Sequence, residues 1–239
     1  MSTEQTGQDI VIVAAKRTPM GGFQGALSEV ASPVLAATAI KGLIAQTGIS
    51  VDAVDEVLMG CVLPAGLGQA PARQATLGAG LPLSVGATTV NKVCGSGMKT
   101  VMLAHDLIKA GSSQVVVAGG MESMSQAPYL LDKARSGMRM GHGKVMDHMF
   151  LDGLEDAYTG GAMGSFAQKT ADDFGLTREQ MDDFALGSLE KANAAINSGA
   201  FKDEVVPVTI STRRGDVTVE IDEQPGNARP EKIPTLRPA

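Results

Sequence analysis

The sequence predicts an α/β fold, in which crossover helices cover a sheet of mainly buried strands. Four apolar runs rich in β-branched residues alternate with segments of helical spacing over the first 120 residues. Such runs are typical of strands that are buried on both faces. The chain also contains 29 glycines, which suit tight connections between strands and helices. This alternation favours parallel strand pairs joined by right-handed crossovers.

The first predicted unit is a strand followed by a helix. The run "IVIVAA", residues 10–15, is expected to be a buried strand. Ser32 and Pro33 suit the N-cap and the first position of a helix, and Gly48 suits its C-terminal end. The apolar residues between them follow helical spacing: Val34, Ala37, Ile40, Leu43 and Ile44.

Two further units follow the same order. Strands are predicted at "DEVLMGCVL" (55–63), "VGATTV" (85–90) and "QVVVAGG" (114–120). A short helix is expected around "QAPARQATLGAG" (69–80), and a longer one over "GSGMKTVMLAHDLIKAG" (95–111). The longer helix is apolar on most of its circumference, so we expect it to lie inside the protein between layers.

After residue 120 the pattern changes. Residues 121–164 contain seven methionines and many glycines without a sustained period, which indicates a long ordered excursion of the kind that is usually functional. Helices are predicted at 164–175 and after the capping-box pair Thr177 and Gln180. The two apolar runs on either side of "STRRG" (211–215) predict a β-hairpin.

Composition excludes several classes of function. A formal net charge of -6 argues against nucleic acid as a general partner. No run of eighteen apolar residues predicts a membrane span, and "MSTEQTGQD" has no features of a secretory signal. Two cysteines and three histidines without zinc-like spacing predict no metal site and no disulfide framework. A reducing cytoplasm is the expected location.

The stretch "TTVNKVCGSGMKT", residues 88–100, places Cys94 between a strand and the start of a helix. The positive end of a helix dipole favours a thiolate there, and Gly95 and Gly97 leave room for a substrate carbonyl. The alternative is an inert buried cysteine that seals the turn, because free cysteine is among the most buried residue types. The local sequence does not decide between these two interpretations.

The other candidate residues offer no base for Cys94. Cys61 lies within an apolar strand and is expected to be a core residue. His105 lies eleven residues further along the same helix, which is roughly 16 Å at 1.5 Å per residue. His142 and His148 are interpreted as surface or loop-packing histidines. The local sequence therefore offers a nucleophile without a partner.

Four stretches resemble one known family. "VIVAAKRTPMGGFQG", "VNKVCGSGMKT", "VVVAGGMESMSQAPYLL" and "DGLEDAY" are similar to the thiolase family, and within it to the acetyl-CoA C-acetyltransferases. The resemblance covers essentially the whole chain. It implies two α/β halves stacked in five layers, each with a mixed sheet, and a loop domain inserted in the first half. Residues 1–121 would be the first half and residues 122–239 the loop domain that covers the coenzyme A site.

The resemblance implies an enzyme that uses Cys94 as its nucleophile. Cys94 would take an acetyl group from acetyl-CoA and pass it to a second acetyl-CoA, giving acetoacetyl-CoA, and thiolysis would be the reverse reaction. No cofactor is implied, because the coenzyme A thioester is the substrate. The family's G-H-P, C-x-G-G-G and N-E-A-F motifs do not occur in residues 1–239. We therefore expect an N-terminal portion that is inactive by itself.

The resemblance also implies substrate contacts and partners. Leu154 and Met163 match positions beside the pantetheine and the adenine, whereas Ala162 stands where relatives often have histidine. Arg229 is a candidate contact for the phosphates of coenzyme A. The family implies a homodimer or tetramer and a role in fatty acid metabolism. The alternative is a non-catalytic module that binds coenzyme A or supports assembly.

Overall fold

A three-stranded parallel sheet forms the centre of the computed structural model, which describes residues 9–237. Its strands are β1 (Glu56–Gly60), β2 (Gly86–Val90) and β3 (Val116–Gly120), in the order β2-β1-β3. Gly60 pairs with Val90 on one side and Gly120 on the other, so the three strands end together. Residues 1–8, for which the sequence predicts no secretory signal, and residues 238–239 lie outside the described part.

Three helices cover the two faces of this sheet. They are α1 (Ser32–Thr47), α2 (Pro71–Gly78) and α3 (Ser96–Lys109). Val57 and Met59 pack with α1 and α2 in the main core, whereas Gly60 meets the first turn of α3. Because neighbouring residues of a strand point to opposite faces, α1 and α2 lie on one face and α3 on the other.

The predicted ends of α1 are confirmed with one change. Pro33 lies in the first turn, and Gly48 ends the helix in the left-handed conformation at a φ of 64°. Ala31, and not Ser32, is the N-cap, because Ala31 has the extended backbone while Ser32 is already helical. The Ser32 hydroxyl is buried inside the helix start and has no hydrogen-bond partner within the described residues.

The prediction of a buried strand at 10–15 is wrong. These residues are not paired in the sheet, and Val11, Ile12 and Val13 are 69%, 81% and 73% exposed. Arg17, just after this run, pairs its backbone with Glu204 and Val206 and not with β3, and residues 10–15 have no backbone partner among the described residues. A strand cannot form without such a partner.

The burial predicted for α3 is also wrong. Only Ser96, Thr100 and Ala104 of this helix are buried, while Met98 and Met102 are 69% and 50% exposed. The sheet covers one face of the helix, and none of the other described elements covers the opposite face. The apolar residues around α3 would allow burial on all sides, but the described residues bury only the side that faces the sheet.

The second part of the chain follows the predicted order. Residues 121–162 are mainly irregular, with short strands β4 (Tyr129–Leu130) and β5 (Met146–Asp147) and a π-helical turn at Phe150–Leu154. The regular elements that follow are α4 (Met163–Asp173), α5 (Arg178–Ser198), β6 (Val208–Thr212), β7 (Gly215–Val219), α6 (Glu223–Asn227) and a 3₁₀ helix at Pro230–Thr235. The β6–β7 hairpin is confirmed.

The capping box of α5 is confirmed in both of its hydrogen bonds. The Thr177 N–H donates to Gln180 Oε1 at 2.9 Å, and the Gln180 N–H donates to Thr177 Oγ1 at 3.2 Å.

The expected mixed sheet differs from the one observed, since every described pair of the main sheet is parallel. Antiparallel pairs of named strands occur in the separate β4–β5 and β6–β7 ribbons. Among residues 9–237 no helix combines the length and apolar character that a membrane crossing requires.

A charged cluster joins the N-terminal segment to the residues around the hairpin. Arg17 binds Asp222 with both terminal nitrogens, at 2.7 and 3.0 Å, and binds Glu204 through Nε at 2.6 Å. Its guanidinium also stacks 4.9 Å from the centre of the Phe201 ring. Asp222 is only 6% exposed and accepts a further bond from the Met20 N–H.

This cluster shifts the pKa values of both members of the Arg17–Asp222 ion pair. Burial raises the pKa of Asp222, but the Arg17 guanidinium and the Met20 N–H outweigh burial and hold that pKa below its ordinary value. The hydrogen bond to Asp222 raises the pKa of Arg17. Both groups are therefore ionised at neutral pH, and the pair fixes the N-terminal segment in place.

Candidate functional site

Cys94 lies at the carboxyl end of the parallel sheet, in the turn between β2 and α3. It is exposed, whereas Cys61 is buried. The three strands end together at this edge, and in open α/β sheets such an edge is where ligands usually bind. Because Cys94 is exposed, it is not the inert buried cysteine of the alternative interpretation.

The first turn of α3 rests directly on two glycines of the sheet. A Cβ atom on Gly60 would lie 2.6 Å from the Ser96 carbonyl carbon and 2.7 Å from the Gly97 nitrogen. A Cβ atom on Gly120 would lie 3.3 Å from the Gly97 Cα. The sequence pattern does not single out Gly60, although a glycine within a strand is a known signal of close backbone approach.

Cys94 directly precedes Gly95, the N-cap of α3. The N–H groups of Gly95 and Ser96 are bound by the carbonyls of Lys92, at 3.2 Å, and Val93, at 3.0 Å. The N–H of Cys94 donates no hydrogen bond to any of residues 9–237. A free N–H at a helix start can stabilise an oxyanion that develops next to it. The arrangement can therefore support attack of a thiolate on a carbonyl carbon.

The predicted role of Cys61 as a core residue is confirmed. Its side chain is 1% exposed and its Sγ lies 3.8 Å from Glu122 Oε1. Glu122 also accepts hydrogen bonds from the N–H groups of Val62, at 2.7 Å, and Leu63, at 3.1 Å. Burial, together with the charge of Glu122, raises the pKa of the Cys61 thiol to about 11, so Cys61 is unreactive near neutral pH.

His142 lies on the surface and His148 packs within the loop, as predicted. His105 pairs with its neighbour Asp106 at 3.1 Å on the exposed side of α3, and His142 is exposed. His148 is 5% exposed and its Nδ1 lies 2.5 Å from Asp152 Oδ2. None of the three forms a hydrogen bond with Cys94 within the described residues. His148 is packed within the loop, and its buried Nε2 has no hydrogen-bond partner among the described residues.

Leu154 and Met163 flank a short backbone bridge. Glu155 and Ala162 form an antiparallel bridge, and the Asp156 N–H donates to the Gly161 carbonyl at 2.8 Å. The bridge closes a short loop, so Leu154 and Met163 lie on its two sides. Leu154 is half-buried, and Met163 is 42% exposed at the start of α4.

Arg229 lies on a different segment. It is exposed and directly precedes the 3₁₀ helix Pro230–Thr235. Arg178 anchors that helix to the start of α5 by donating to the carbonyls of Ile233, at 2.6 Å, and Leu236, at 2.9 Å. Within residues 9–237 no hydrogen bond joins Arg229 to the loop that carries Leu154 and Met163. The same residues contain no group of three or more His, Cys, Asp or Glu side chains that could hold a metal ion.

Comparison with known proteins identifies one family. The family described as "Thiolase, N-terminal domain" matches residues 10–239. Three relatives carry the name acetyl-CoA acetyltransferase, and each aligns with 97% of this chain. They come from Pseudomonas aeruginosa (49% identical), Escherichia coli (52%) and Arabidopsis thaliana (acetyl-CoA acetyltransferase 2, 50%).

The alignment covers only part of these relatives. The chain spans 60% of the length of the Pseudomonas aeruginosa protein, 59% of the Escherichia coli protein and 58% of the Arabidopsis thaliana protein. The matched part includes Cys94 and the segments that carry Leu154, Met163 and Arg229.

Proposed function

Because this chain belongs to the thiolase family, we propose that it carries the nucleophile of an acetyl-CoA C-acetyltransferase. The observation that carries this proposal is the exposed Cys94 at the start of α3, within a match that covers 97% of the chain. The reaction makes acetoacetyl-CoA from two molecules of acetyl-CoA. Its reverse is thiolysis.

The proposed chemistry begins at the Cys94 sulfur. The thiolate attacks the thioester carbonyl of acetyl-CoA, the carbon–sulfur bond to coenzyme A breaks, and coenzyme A leaves as the thiol after it takes a proton. The Cys94 N–H, free within the described residues, can hold the oxyanion of the tetrahedral intermediate. The acetyl-cysteine is a thioester, like acetyl-CoA, so this first step is readily reversible.

The second step needs a base, which in the family comes from motifs that do not occur in residues 1–239. A base removes a proton from the methyl carbon of a second acetyl-CoA, and the carbanion then attacks the acetyl-cysteine. The new carbon–carbon bond forms as the bond to sulfur breaks, which returns Cys94 as the thiolate. The proposed reaction uses no metal or other cofactor, because the thioesters themselves supply the activated carbonyls.

Coenzyme A is proposed to bind along the second part of the chain. Residues 1–121 would form the first α/β half, since the three-stranded sheet and α1 to α3 all lie there. Residues 122–239 would form the loop domain. Leu154 and Met163, which flank the Glu155–Ala162 bridge, would contact the pantetheine and adenine, and the exposed Arg229 would contact the phosphates. A homodimer or tetramer, a cytoplasmic location and a role in fatty acid metabolism rest on the family resemblance.

The test is to read the gene past codon 239 and to express both the 239-residue chain and the longest product. Each is incubated with acetyl-CoA, quenched in acid and digested, and acetyl on the Cys94 peptide is measured by mass spectrometry. We expect acetylation and acetoacetyl-CoA formation by a product that contains the G-H-P and C-x-G-G-G motifs. We expect little acetylation of the 239-residue chain, because the family's G-H-P and C-x-G-G-G motifs do not occur in it.

The controls separate the enzyme from a binding module. Cys94→Ala should abolish both acetylation and product formation, whereas Cys61→Ala should leave both in place. Acetoacetyl-CoA formation that survives Cys94→Ala would overturn the role of Cys94. A gene that stops at codon 239, without a companion that supplies those motifs, would favour the non-catalytic module, as would binding of coenzyme A without acetylation of the longest product.

A further inference from the structure

The turn that presents Cys94 holds a valine in a conformation that valine rarely adopts. Val93 has a φ of 48°, in the left-handed region, where a β-branched side chain crowds its own backbone. The Val93 side chain is 51% exposed, so little burial of apolar surface offsets this strain. Other interactions must therefore hold the backbone of Val93 in place.

Two side chains hold the backbone of Val93. Asn91 Oδ1 accepts a hydrogen bond from the Val93 N–H at 2.8 Å. Ser96 Oγ donates to the Val93 carbonyl at 2.5 Å and accepts from the Lys92 N–H at 2.8 Å. Both backbone polar groups of Val93 are therefore bound by side chains, and the Ser96 N–H also donates to the Val93 carbonyl, at 3.0 Å.

The two side chains are themselves fixed. Ser96 is 3% exposed beneath the turn, where the first turn of α3 meets Gly60. The Asn91 amide nitrogen donates to the Val62 carbonyl at 3.4 Å, just beyond the end of β1. The turn is thereby fixed to both the helix and the neighbouring strand, and Cys94 is the next residue after the restrained valine.

We propose that Asn91 and Ser96 are positioning residues that keep Val93 left-handed and thereby hold Cys94 exposed at the start of α3. This inference rests on the proposed role of Cys94 and deepens it. Without the two side chains, Val93 would relax toward the extended or right-handed conformations that valine prefers. The Cys94 sulfur would then leave its exposed position at the start of α3.

The test measures how fast Cys94 reacts with iodoacetamide, because alkylation depends on the thiolate and needs no acyl substrate. The matched pair is Asn91→Ala and Asn91→Ser, since serine keeps an acceptor oxygen that can bind the N–H two residues on. We expect Asn91→Ala and Ser96→Ala to slow alkylation by about three- to tenfold, because the sulfur is then less well presented to the reagent. We expect Asn91→Ser to recover most of the rate of the unmodified chain.

A second background tests whether strain at Val93 is the cause. Asparagine tolerates the left-handed conformation better than valine does, so Val93→Asn should hold the turn with less help. In that background, Asn91→Ala is expected to slow alkylation by less than about twofold, since the restraint is no longer needed. Equal slowing in both backgrounds would overturn the inference.

Cys61 serves as the internal control for folding. It is buried, and burial raises the pKa of its thiol to about 11, so it stays unmodified unless the chain opens. A variant in which Cys61 also reacts is unfolded, and the decision then rests on the Ser96→Ala and Asn91→Ser chains. An unchanged Cys94 rate in folded Asn91→Ala and Ser96→Ala chains would contradict the inference.

The outcome is separable from that of the proposed function. If the longest product acetylates Cys94 but alkylation is indifferent to Asn91 and Ser96, the function stands and the positioning role fails. If alkylation follows the expected pattern but Cys94 is never acetylated, the positioning role stands and the acetyltransferase proposal fails.

Discussion

Gly60 and Ser96 lie so close together that a Cβ atom on Gly60 would be 2.6 Å from the Ser96 carbonyl carbon. Ser96 belongs to the first turn of α3 and Gly60 is the last residue of β1. The atoms that a larger residue would meet include backbone atoms, which cannot move aside as a flexible side chain can. The absence of a side chain at Gly60 therefore sets the distance between the strand end and the turn that carries Cys94.

Gly60→Ala is expected to destabilise the chain and to displace the Cys94 turn. Overpacking of this kind typically costs about 1–3 kcal/mol, because α3 must move away from β1. The free energy of unfolding in urea checks the first effect, and the rate of Cys94 alkylation checks the second.

The matched control for that variant is Gly187→Ala. Gly187 lies within α5, where an added Cβ meets nothing within 4 Å. Alanine there should stabilise the chain by roughly 0.5–1 kcal/mol and leave Cys94 unaffected. Equal effects of the two substitutions would show that close packing at Gly60 has no special role.

Asp222→Asn should remove a contribution to stability that is present at neutral pH and lost at acid pH. The folded pKa of Asp222 is below its ordinary value because Arg17 and the Met20 N–H outweigh its burial. Its contribution is therefore present above the unfolded pKa of about 3.9 and is lost as the pH falls through the lower folded value. At neutral pH the variant should lose about 1.5–3 kcal/mol.

Urea unfolding at several pH values checks this effect. As the pH falls below about 3.9 and then through the lower folded pKa, the curves for Asp222→Asn and the unmodified chain should converge, because the carboxylate is protonated first in the unfolded and then in the folded state. Asp216→Asn is the control, since Asp216 is exposed and bonds only the Ser211 hydroxyl, at 2.8 Å. It should change stability by less than about 0.5 kcal/mol.

Cys61→Ala should flatten the loss of stability at alkaline pH. Burial raises the folded pKa of Cys61 to about 11, whereas an unfolded cysteine titrates near about 8.5. Its contribution is therefore complete below the unfolded value and is lost as the pH rises through the folded value. Unfolding midpoints from about pH 8 to 11 should fall more steeply for the unmodified chain than for the variant; parallel curves would contradict the assignment.

Arg178→Ala should release the C-terminal 3₁₀ helix that Arg229 precedes. Arg178 donates to the carbonyls of Ile233 and Leu236 and also pairs with Asp182. Its loss should speed hydrogen exchange in residues 230–236 and lower stability by about 1–2 kcal/mol. If coenzyme A binds there as proposed, its affinity should fall as well.

Lys169→Ala is the control for a simple helical ion pair. Lys169 pairs with Asp173 one turn along α4 on an exposed surface, and it donates to no distant carbonyl. Its loss should cost no more than about 0.5 kcal/mol and leave residues 230–236 protected. Faster exchange of those residues in Lys169→Ala would show that the effect is not specific to Arg178.

The features that the sequence predicts well depend on residues that lie close together along the chain. Gly48 ends α1 through its own left-handed backbone, and Thr177 and Gln180 exchange hydrogen bonds across three residues. The position of Cys94 between β2 and α3 follows from the same local signals. The buried core position of Cys61 follows from the apolar strand around it.

The sequence by itself determined the order of the elements, their caps and the candidate nucleophile, because these depend on interactions within a few residues. Only the tertiary structure decided which elements find partners. The apolar run 10–15 lies outside the sheet, and Met98 on α3 is exposed, although the sequence pattern predicts burial of both the run and the helix. The contact of Gly60 with Ser96 and the restraint on Val93 likewise depend on backbone positions that distant segments fix together.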